Sequence, residues 1–282
     1  MKPLSIIFFT LTFAVTIPFA HSKGLVIDTY LFSDVDDAGA LLLAATSPDM
    51  DLLAVNGRSN LPIGIPRPLT NATFFDSWFY ELGEYASKVA FHFSGGTLPW
   101  GRAEDAWDPV ALYRKSLAEA EDGSVTIVSI GFLDNLSALL NSTANIYSNF
   151  TGLVVMGGGY PSGRSWNFWG SNASPTAHAI NSWEGRVVFL GDDVGKDVLC
   201  GAPLMSQGPE DDPVRMAYIY YSYYNPRPSW DPLTVLYAIY GLGGLFEFGS
   251  EYGCNHVERD GTNRWVWDEE VRNPTFPEAQ GG

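Results

Sequence analysis

Four aspartates stand close together near the start of the chain, in the segment DTYLFSDVDD. They are Asp28, Asp34, Asp36 and Asp37, and a short apolar run, LVI, precedes them. Carboxylates this close repel one another unless a cation or protons intervene, and hard oxygen ligands suit Ca²⁺ or Mg²⁺. The alternative is the acidic first turn of a helix through AGALLLAA, where one carboxylate caps the helix and the others favour its positive end. The spacing alone leaves both interpretations open.

Later segments offer further side chains for a ligand site. GFLDN, at 131–135, suits a turn that presents a backbone carbonyl at Asp134, and RPSWDPLTV carries Asp231. GGGYPSGRSWNFW, at 157–169, combines glycines, aromatic rings and the amide of Asn167, which suits a sugar or a base. Each signal is weak alone, because the loop is also typical of a surface with buried tryptophans. Asp231, just before Pro232, is likewise typical of a helix N-cap.

The elements that must position these side chains follow from five apolar runs, which alternate with helical patterns. Runs that are apolar throughout are typical of strands buried on both faces, so the sequence predicts an α/β fold with a doubly wound, mostly parallel sheet flanked by helices. Ligands in such folds bind at the carboxyl ends of the strands, which is where the aspartates and Asn56 fall. The runs lie at 25–27, 52–55, 125–128, 153–156 and 187–190.

Two further segments bear on the topology. ERDGTNRWVW, at 258–267, predicts a small C-terminal hairpin around Asp260 and Gly261. Between Asn56 and LPIG, at 61–64, too few residues intervene for a parallel crossover, which needs roughly ten or more. Either LPIG is not a parallel neighbour of the second strand, or a crossover helix is missing there.

Length and charge limit the classes of function. The 282 residues suit one globular domain over 23–282, after a predicted secretory signal peptide at 1–22; an uncleaved anchor helix is the alternative. A net charge of −16 disfavours binding to nucleic acid or to anionic membranes. The chain lacks a Gly-x-Ser-x-Gly elbow, a Walker loop and a strand-linked GxGxxG, so serine hydrolases, nucleotide triphosphatases and dinucleotide enzymes find no support.

Glycosylation and cysteine patterns are compatible with a secreted protein. Cys200 and Cys254 are the only cysteines, and either a disulfide or two free thiols fits the sequence. A homo-oligomer is also compatible with the sequence. Sequons occur at Asn71, Asn135, Asn141, Asn149 and Asn172.

In this order and spacing, the motifs resemble the nucleoside hydrolase family, of the inosine/uridine-preferring type and of a secreted branch common in fungi. The resemblance implies Ca²⁺-dependent cleavage of a ribonucleoside to ribose and a free base. It assigns Asp37 and Asp231 as side-chain ligands of Ca²⁺ and Asp134 as a ligand through its backbone carbonyl. It assigns ribose binding to Asp36, Asn56, Met156 and Asn167.

Three departures from the family pattern concern the proton transfers. The aspartate that acts as the base aligns with Tyr30, a glutamate of the sugar segment aligns with Ser165, and a histidine aligns with Trp230. A phenol, with a pKa of about 10, is a poor base near neutral pH. The family also carries a helix between its second and third strands, where this chain is short.

Three hypotheses therefore remain at the level of sequence. The chain is a Ca²⁺-dependent nucleoside hydrolase in which Asp34 or Asp28 substitutes for the base, or it retains the fold and binds a nucleoside, a sugar or a protein without turnover. The third is a secreted α/β protein unrelated to nucleosides.

Overall fold

The computed structural model describes residues 23–31, 34–54, 62–65, 85–86, 88–90, 92–93, 105–142, 150–271 and 275–279. The predicted signal peptide, Asn56, and the sequons at Asn71 and Asn149 lie outside these residues.

The described residues form the following named elements. The strands are β1 (Lys23–Asp28), β2 (Met50–Ala54), β3 (Val125–Ser129), β4 (Phe150–Met156), β5 (Ser162–Arg164), β6 (Val187–Leu190), β7 (Leu199–Cys200), β8 (Arg227–Pro228), β9 (Phe246–Ser250), β10 (Cys254–Val257), β11 (Thr262–Val266) and β12 (Thr275–Ala279). The helices are α1 (Asp36–Thr46), α2 (Pro109–Ala118), α3 (Asp134–Ser142), α4 (Trp166–Trp169), α5 (Ala173–Asn181), α6 (Asp192–Gly195), α7 (Ala202–Gln207), α8 (Pro213–Ser222) and α9 (Trp230–Tyr240).

A five-stranded parallel sheet, in the order β2-β1-β3-β4-β6, forms the centre of the molecule. Its strands contain the described residues of the five apolar runs, so the predicted doubly wound sheet is confirmed. From β1 the chain adds β2 on one side of the sheet and β3 on the other, so the direction in which strands are added reverses between β1 and β3. Parallel sheets bind ligands at such a switch point. Asp28, at the end of β1, is in register with Ser129, at the end of β3.

Two hydrophobic layers cover the sheet because alternate side chains of each strand point to opposite faces. Val26 and Ile127 pack with α2, α3 and α5 on one face. Leu25 and Val128 pack with α1 and α9 on the other face. The second layer matters for function, since it holds the first turns of α1 and α9 side by side.

The predicted C-terminal hairpin is also confirmed. β10 and β11 are antiparallel and turn at Gly261, whose φ of +84° lies in the left-handed region that glycine adopts without a steric penalty. β11 also pairs with β5, and the buried Asn263 exchanges two 3.0 Å hydrogen bonds with the backbone N–H and carbonyl of Gly159. The hairpin thereby fixes the glycine-rich loop that follows β4.

LPIG does not contribute a strand to the central sheet in the part of the chain that is described. Gly64 forms an isolated parallel bridge with Trp107, whose N–H donates to the carbonyl of Ile63 over 2.8 Å and whose carbonyl accepts from the N–H of Ile65 over 2.9 Å. The structure therefore favours the first alternative, that LPIG is not a parallel neighbour of β2.

The capping interpretations of the aspartates are wrong. α1 has Val35 at its N-cap with no side-chain hydrogen bond, so no carboxylate caps it. α9 begins two residues earlier than predicted, at Trp230 with Ser229 at the N-cap, which places Asp231 inside the first turn. Both helices therefore present first-turn carboxylates that do not serve as caps.

The cysteines are free thiols: Cys200 is half-buried and Cys254 is exposed.

Asn135 uses its Nδ2 to donate to Asp28, so a glycan on this atom would break a hydrogen bond of the fold. Within the described ranges, none of the helices has the length and apolar character needed to cross a membrane.

Candidate active site

Three buried carboxylates meet where α1 and α9 begin. Asp36, Asp37 and Asp231, here called the acidic cluster, are 1%, 0% and 4% exposed. One oxygen from each lies within 4.8 Å of the others. The backbone N–H of Asp231 donates to Asp36 Oδ2 over 3.1 Å, which links the two helices directly. The cluster thus joins the DVDD motif to the WDP motif.

Asp37 supplies the carboxylate oxygen of the acidic cluster that is buried without a hydrogen-bond partner among the described residues. Its Oδ1 accepts a short hydrogen bond from Thr29 Oγ1, while its buried Oδ2 has no hydrogen-bond partner among the described residues. Burial raises the pKa of Asp37 to about 7, and burial followed by neighbouring carboxylates raises the pKa values of Asp36 and Asp231 well above the usual range. The folded chain therefore needs protons or a cation at this point.

The geometry of the acidic cluster fits a hard divalent cation. Two oxygens that each lie about 2.4 Å from one Ca²⁺ are at most about 4.8 Å apart, which the three carboxylates satisfy. The partnerless Oδ2 of Asp37 is the buried lone pair that an ion would satisfy. The cluster contains the predicted ligands Asp37 and Asp231, and it adds Asp36, which was predicted to bind ribose.

Asp28 lies apart from the acidic cluster, in a hydrogen-bonded site of its own. Its two carboxylate oxygens accept from Tyr113 Oη, over 2.8 Å, and from Asn135 Nδ2, over 2.9 Å. Burial raises its pKa to about 6, and Asp134, at the start of α3, adds a smaller electrostatic contribution. Asp28 thus ties β1 to α2 and α3.

Asp34 is held by Arg227, a cation that lies 193 residues away along the chain. Arg227, in β8, donates to its Oδ1 from Nε over 2.9 Å and to its Oδ2 from Nη2 in a short contact. The guanidinium carbon lies 5.4 Å from the ring centre of Tyr221 and 5.2 Å from that of Trp230. The pair anchors the start of α1 to β8.

Tyr30 stands beside the acidic cluster, at the position where the resemblance places a catalytic base. Its ring stacks on Phe132, with ring centres 4.8 Å apart and planes 11° apart. Burial, followed by the charges of Asp37 and Asp231, raises the pKa of the phenol well above its ordinary value. Tyr30 therefore stays neutral and cannot accept a proton near neutral pH.

A cavity of about 560 Å³ opens above these residues. Asn167 is buried in its wall and donates from Nδ2 to the carbonyls of Met156 and Ile130, each over 3.3 Å. The wall thus combines carboxylates with large aromatic rings. The lining residues are Tyr30, Asp34, Asp36, Met156, Ser165, Trp166, Asn167, Trp169, Asp192, Asp193, Lys196, Tyr221, Arg227, Trp230 and Asp231.

Most predicted site residues that the structure describes lie in this cavity or directly beneath it. Sequence reasoning missed Asp192 and Arg227. Asp192 directly follows Gly191 at the carboxyl end of β6, so the strand-end rule that singled out the other aspartates also applies to it. Arg227 has no such signal, because it is 193 residues from its partner Asp34.

We expect the metal-free protein to lose stability as the pH rises from about 4 to about 7. The pKa of Asp28 is about 6 in the folded chain and 3.8 ordinarily, and that of Asp37 is about 7. In this interval the unfolded chain ionises first, so the free energy of unfolding falls, by roughly 3 kcal/mol for Asp28 alone. Urea unfolding in EDTA at pH 4.5, 5.5 and 7 measures the slope.

The variant Asp28→Asn tests the assignment of that slope. Because asparagine does not titrate, the variant should lose the part of the pH dependence that Asp28 contributes. A metal-free parent that becomes more stable across the same interval would contradict the expectation.

Comparison with known proteins supports the resemblance to nucleoside hydrolases. The pyrimidine-specific ribonucleoside hydrolase RihA of Escherichia coli O127:H6 is 31% identical over 153 residues, 44% of this chain and 45% of the relative. RihA of Photobacterium profundum is 30% identical over 158 residues, 45% of this chain and 46% of the relative. The matched segments thus span less than half of these curated relatives. No protein-family model matches the chain.

Solved structures of nucleoside hydrolases share the fold over nearly the whole chain. An inosine-uridine preferring nucleoside hydrolase from Bacillus anthracis superposes with a TM-score of 0.69 at 15% identity, covering 91% of this chain and 94% of the other. A plant nucleoside hydrolase gives a TM-score of 0.65 at 19% identity, covering 92% and 94%. The chain therefore has the α/β fold of these enzymes.

Proposed function

We propose that this protein is a nucleoside hydrolase that cleaves the N-glycosidic bond of ribonucleosides to ribose and a free base. The observation that carries the proposal is the acidic cluster at an aromatic-walled cavity of about 560 Å³. Pockets of this size hold small molecules, and carboxylates beside aromatic rings suit a ligand with a hydroxyl-rich half and a flat half. The fold and the RihA matches support the same choice.

The proposed cofactor is Ca²⁺, held by Asp37 and Asp231 through their side chains and by Asp134 through its backbone carbonyl. Bound there, Ca²⁺ would orient ribose hydroxyls and a water molecule and would lower the pKa of that water. The fit rests on the separation of the carboxylates and on the partnerless Oδ2 of Asp37.

The residues of the chain itself account for binding and for stabilisation of charge. Asp36 lines the cavity and can accept from a ribose hydroxyl, and its charge stabilises the positive charge that develops on the sugar. Because the Nδ2 of Asn167 is engaged by two carbonyls, its Oδ1 is the atom that accepts from the sugar. Met156 packs against Asn167, and Trp166 and Trp230 offer faces to the base.

The two predicted substitutes for the base differ in their access to a substrate. Asp34 lines the cavity, although Arg227 holds both of its oxygens. Asp28 is not among the lining residues, and both of its oxygens accept hydrogen bonds. Asp34 is therefore the better-placed substitute, and it would act with Arg227 as an ion pair.

A second candidate function is the binding of a nucleoside or sugar without turnover. Tyr30 favours it, because a neutral phenol lies where the family pattern has a carboxylate base. The cavity, the acidic cluster and the aromatic walls would serve such binding equally well.

Incubation of the purified mature protein with inosine and with uridine, in Ca²⁺ and in EDTA, tests the first candidate. Release of free base in Ca²⁺ and its loss in EDTA support hydrolysis. If no base is released in either condition while inosine or ribose raises the melting temperature, the binding candidate stands instead.

The proposal further assigns the mature chain, from residue 23, to the inosine/uridine-preferring type and to the secreted route. The support is the composition of residues 1–22 and the sequons. Asn141, at the end of α3, and Asn172, just before α5, are the exposed sequons among the described residues and are the first positions to examine for a glycan.

A further inference from the structure

Asp192 is fixed in the cavity wall by three hydrogen bonds. Its backbone N–H donates to the carbonyl of Gly158 over 3.0 Å, and its own carbonyl accepts the indole N–H of Trp230 over 2.8 Å. Its side-chain Oδ1 accepts from Ser165 Oγ over 2.8 Å, while the carboxyl group lines the cavity. A side chain held in this way is preorganised for a single geometry.

The other cavity carboxyls of the described residues are already committed to charged partners or to the acidic cluster. Asp34 is ion-paired with Arg227, and Asp193, whose side chain is 70% exposed, is ion-paired with Lys196. Asp36 and Asp231 belong to the acidic cluster. Ion pairing favours the charged form of a carboxyl. Asp192 differs, because its side-chain partner is the uncharged hydroxyl of Ser165.

The surroundings of Asp192 allow its carboxyl to carry a proton. Burial is the main cause that raises its pKa to about 6, Asp193 adds to the rise, and the hydrogen bond from Ser165 opposes it. Tyr160, from the loop after β4, is a second titratable group close enough to interact with it, and Lys196 lines the same cavity. At mildly acid pH, the carboxyl of Asp192 is therefore protonated in a large fraction of the molecules and can act as a general acid.

The neighbourhood of Asp192 is also where the resemblance leaves a proton donor missing. The histidine of the family pattern aligns with Trp230, whose indole N–H does not ionise and is engaged by the carbonyl of Asp192. Asp192 lines the same cavity as Trp230, so its carboxyl is an ionisable group beside the position from which the histidine is missing.

We propose that Asp192 is the acid that protonates the departing base. The inference rests on the proposed hydrolase function. The bond between C1′ and the base nitrogen breaks, its electron pair passes to the base, and the carboxyl proton of Asp192 passes to that base. Water supplies hydroxide to C1′, and its remaining proton passes through the base, for which Asp34 is the better-placed candidate, to solvent, from which Asp192 is reprotonated. The net reaction is nucleoside plus water to ribose plus free base.

The test compares two substrates in the variant Asp192→Asn. Uridine has a leaving group that needs a proton, whereas p-nitrophenyl riboside releases a stable anion that needs none. Loss of an acid should lower kcat for uridine by about 100-fold or more, while kcat for p-nitrophenyl riboside stays within about 3-fold of the parent. Asp192→Glu should restore part of the uridine activity. Asp197→Asn, at an exposed position that does not line the cavity, is the charge-matched control.

The pH profile gives a second readout that a purely structural role would not produce. In the parent, kcat for uridine should fall as the pH rises past about 6 and Asp192 loses its proton. Asp192→Asn should lack this decline. The hydrogen bond from Ser165 stabilises the charged carboxylate of Asp192. In Ser165→Ala this bond is absent, so the pKa of Asp192 rises and the decline in kcat should move to higher pH.

Each outcome bears on one proposal or on both. Equal loss on the two substrates, or no loss on either, would overturn the role of Asp192 while leaving hydrolysis in place. A parent that cleaves only p-nitrophenyl riboside would likewise show that no leaving-group acid operates. A parent that cleaves neither substrate overturns the proposed function, and this inference with it.

Discussion

Replacing Asp37 with asparagine is expected to make the metal-free protein more stable and to remove its response to Ca²⁺. Asp37 is fully buried, and its Oδ2 has no hydrogen-bond partner among the described residues. Asparagine keeps an oxygen for Thr29 and brings an N–H₂ that can donate to Asp36 or Asp231. Removing an uncompensated buried charge should raise the free energy of unfolding by roughly 1–3 kcal/mol at pH 7.5.

The same substitution should abolish the benefit of the metal. A ligand that binds only the folded state stabilises it by RT ln(1 + [L]/Kd), so Ca²⁺ should raise the melting temperature of the parent. Asp37→Asn should melt at the same temperature in Ca²⁺ and in EDTA, and its hydrolysis of uridine should be lost. Asp211→Asn, an exposed change of equal charge, should behave as the parent does. A variant that is less stable in EDTA and still gains from Ca²⁺ would refute the metal site.

The second large effect is expected from Tyr30→Asp. The neutral phenol lines the cavity beside Asp36, Asp37 and Asp231, where a carboxylate would accept the proton of an attacking water. General base catalysis contributes typically 10²–10⁴-fold, so the variant should hydrolyse uridine in Ca²⁺ at least about 100-fold faster than the parent. In EDTA it should melt at a lower temperature, because it adds a carboxylate to the acidic cluster and loses the stacking on Phe132.

Two control variants separate the acid from the change in shape. Tyr30→Asn matches aspartate in size without a titratable group, and Tyr30→Phe keeps the ring without the hydroxyl. Neither should gain activity. If the parent already turns over as fast as Tyr30→Asp, the binding-only candidate fails, and the base lies elsewhere in the cavity.

The sheet was predictable because strands buried on both faces need apolar residues throughout. Each of the five runs lies in a strand of the central sheet, and the strand-end rule pointed to Asp36, whereas Asp231 was assigned to the site only by the family resemblance. The hairpin was predictable from Asp260 and Gly261, since a residue with positive φ is most readily supplied by glycine.

The contacts within the site were less predictable, because they depend on side chains distant in sequence. No local pattern around Asp34 predicts its ion pair with Arg227, which lies 193 residues away along the chain. The N-cap predicted for Asp231 failed for a local reason, since α9 begins at Trp230, one residue before it. Asp28 and Asp37 lie in one motif, yet the end of β1 separates them, so that they occupy different hydrogen-bonded environments.

The hydrogen bond between Asp231 and Asp36 joins residues that are 195 positions apart. Closing a chain segment of this length costs conformational entropy, so the acidic cluster can assemble only after α9 has docked on α1. In the metal-free chain, repulsion among the carboxylates works against that docking. A bound cation would hold the early and late parts of the sequence together, and its dissociation would favour local opening of α9 before the rest of the fold.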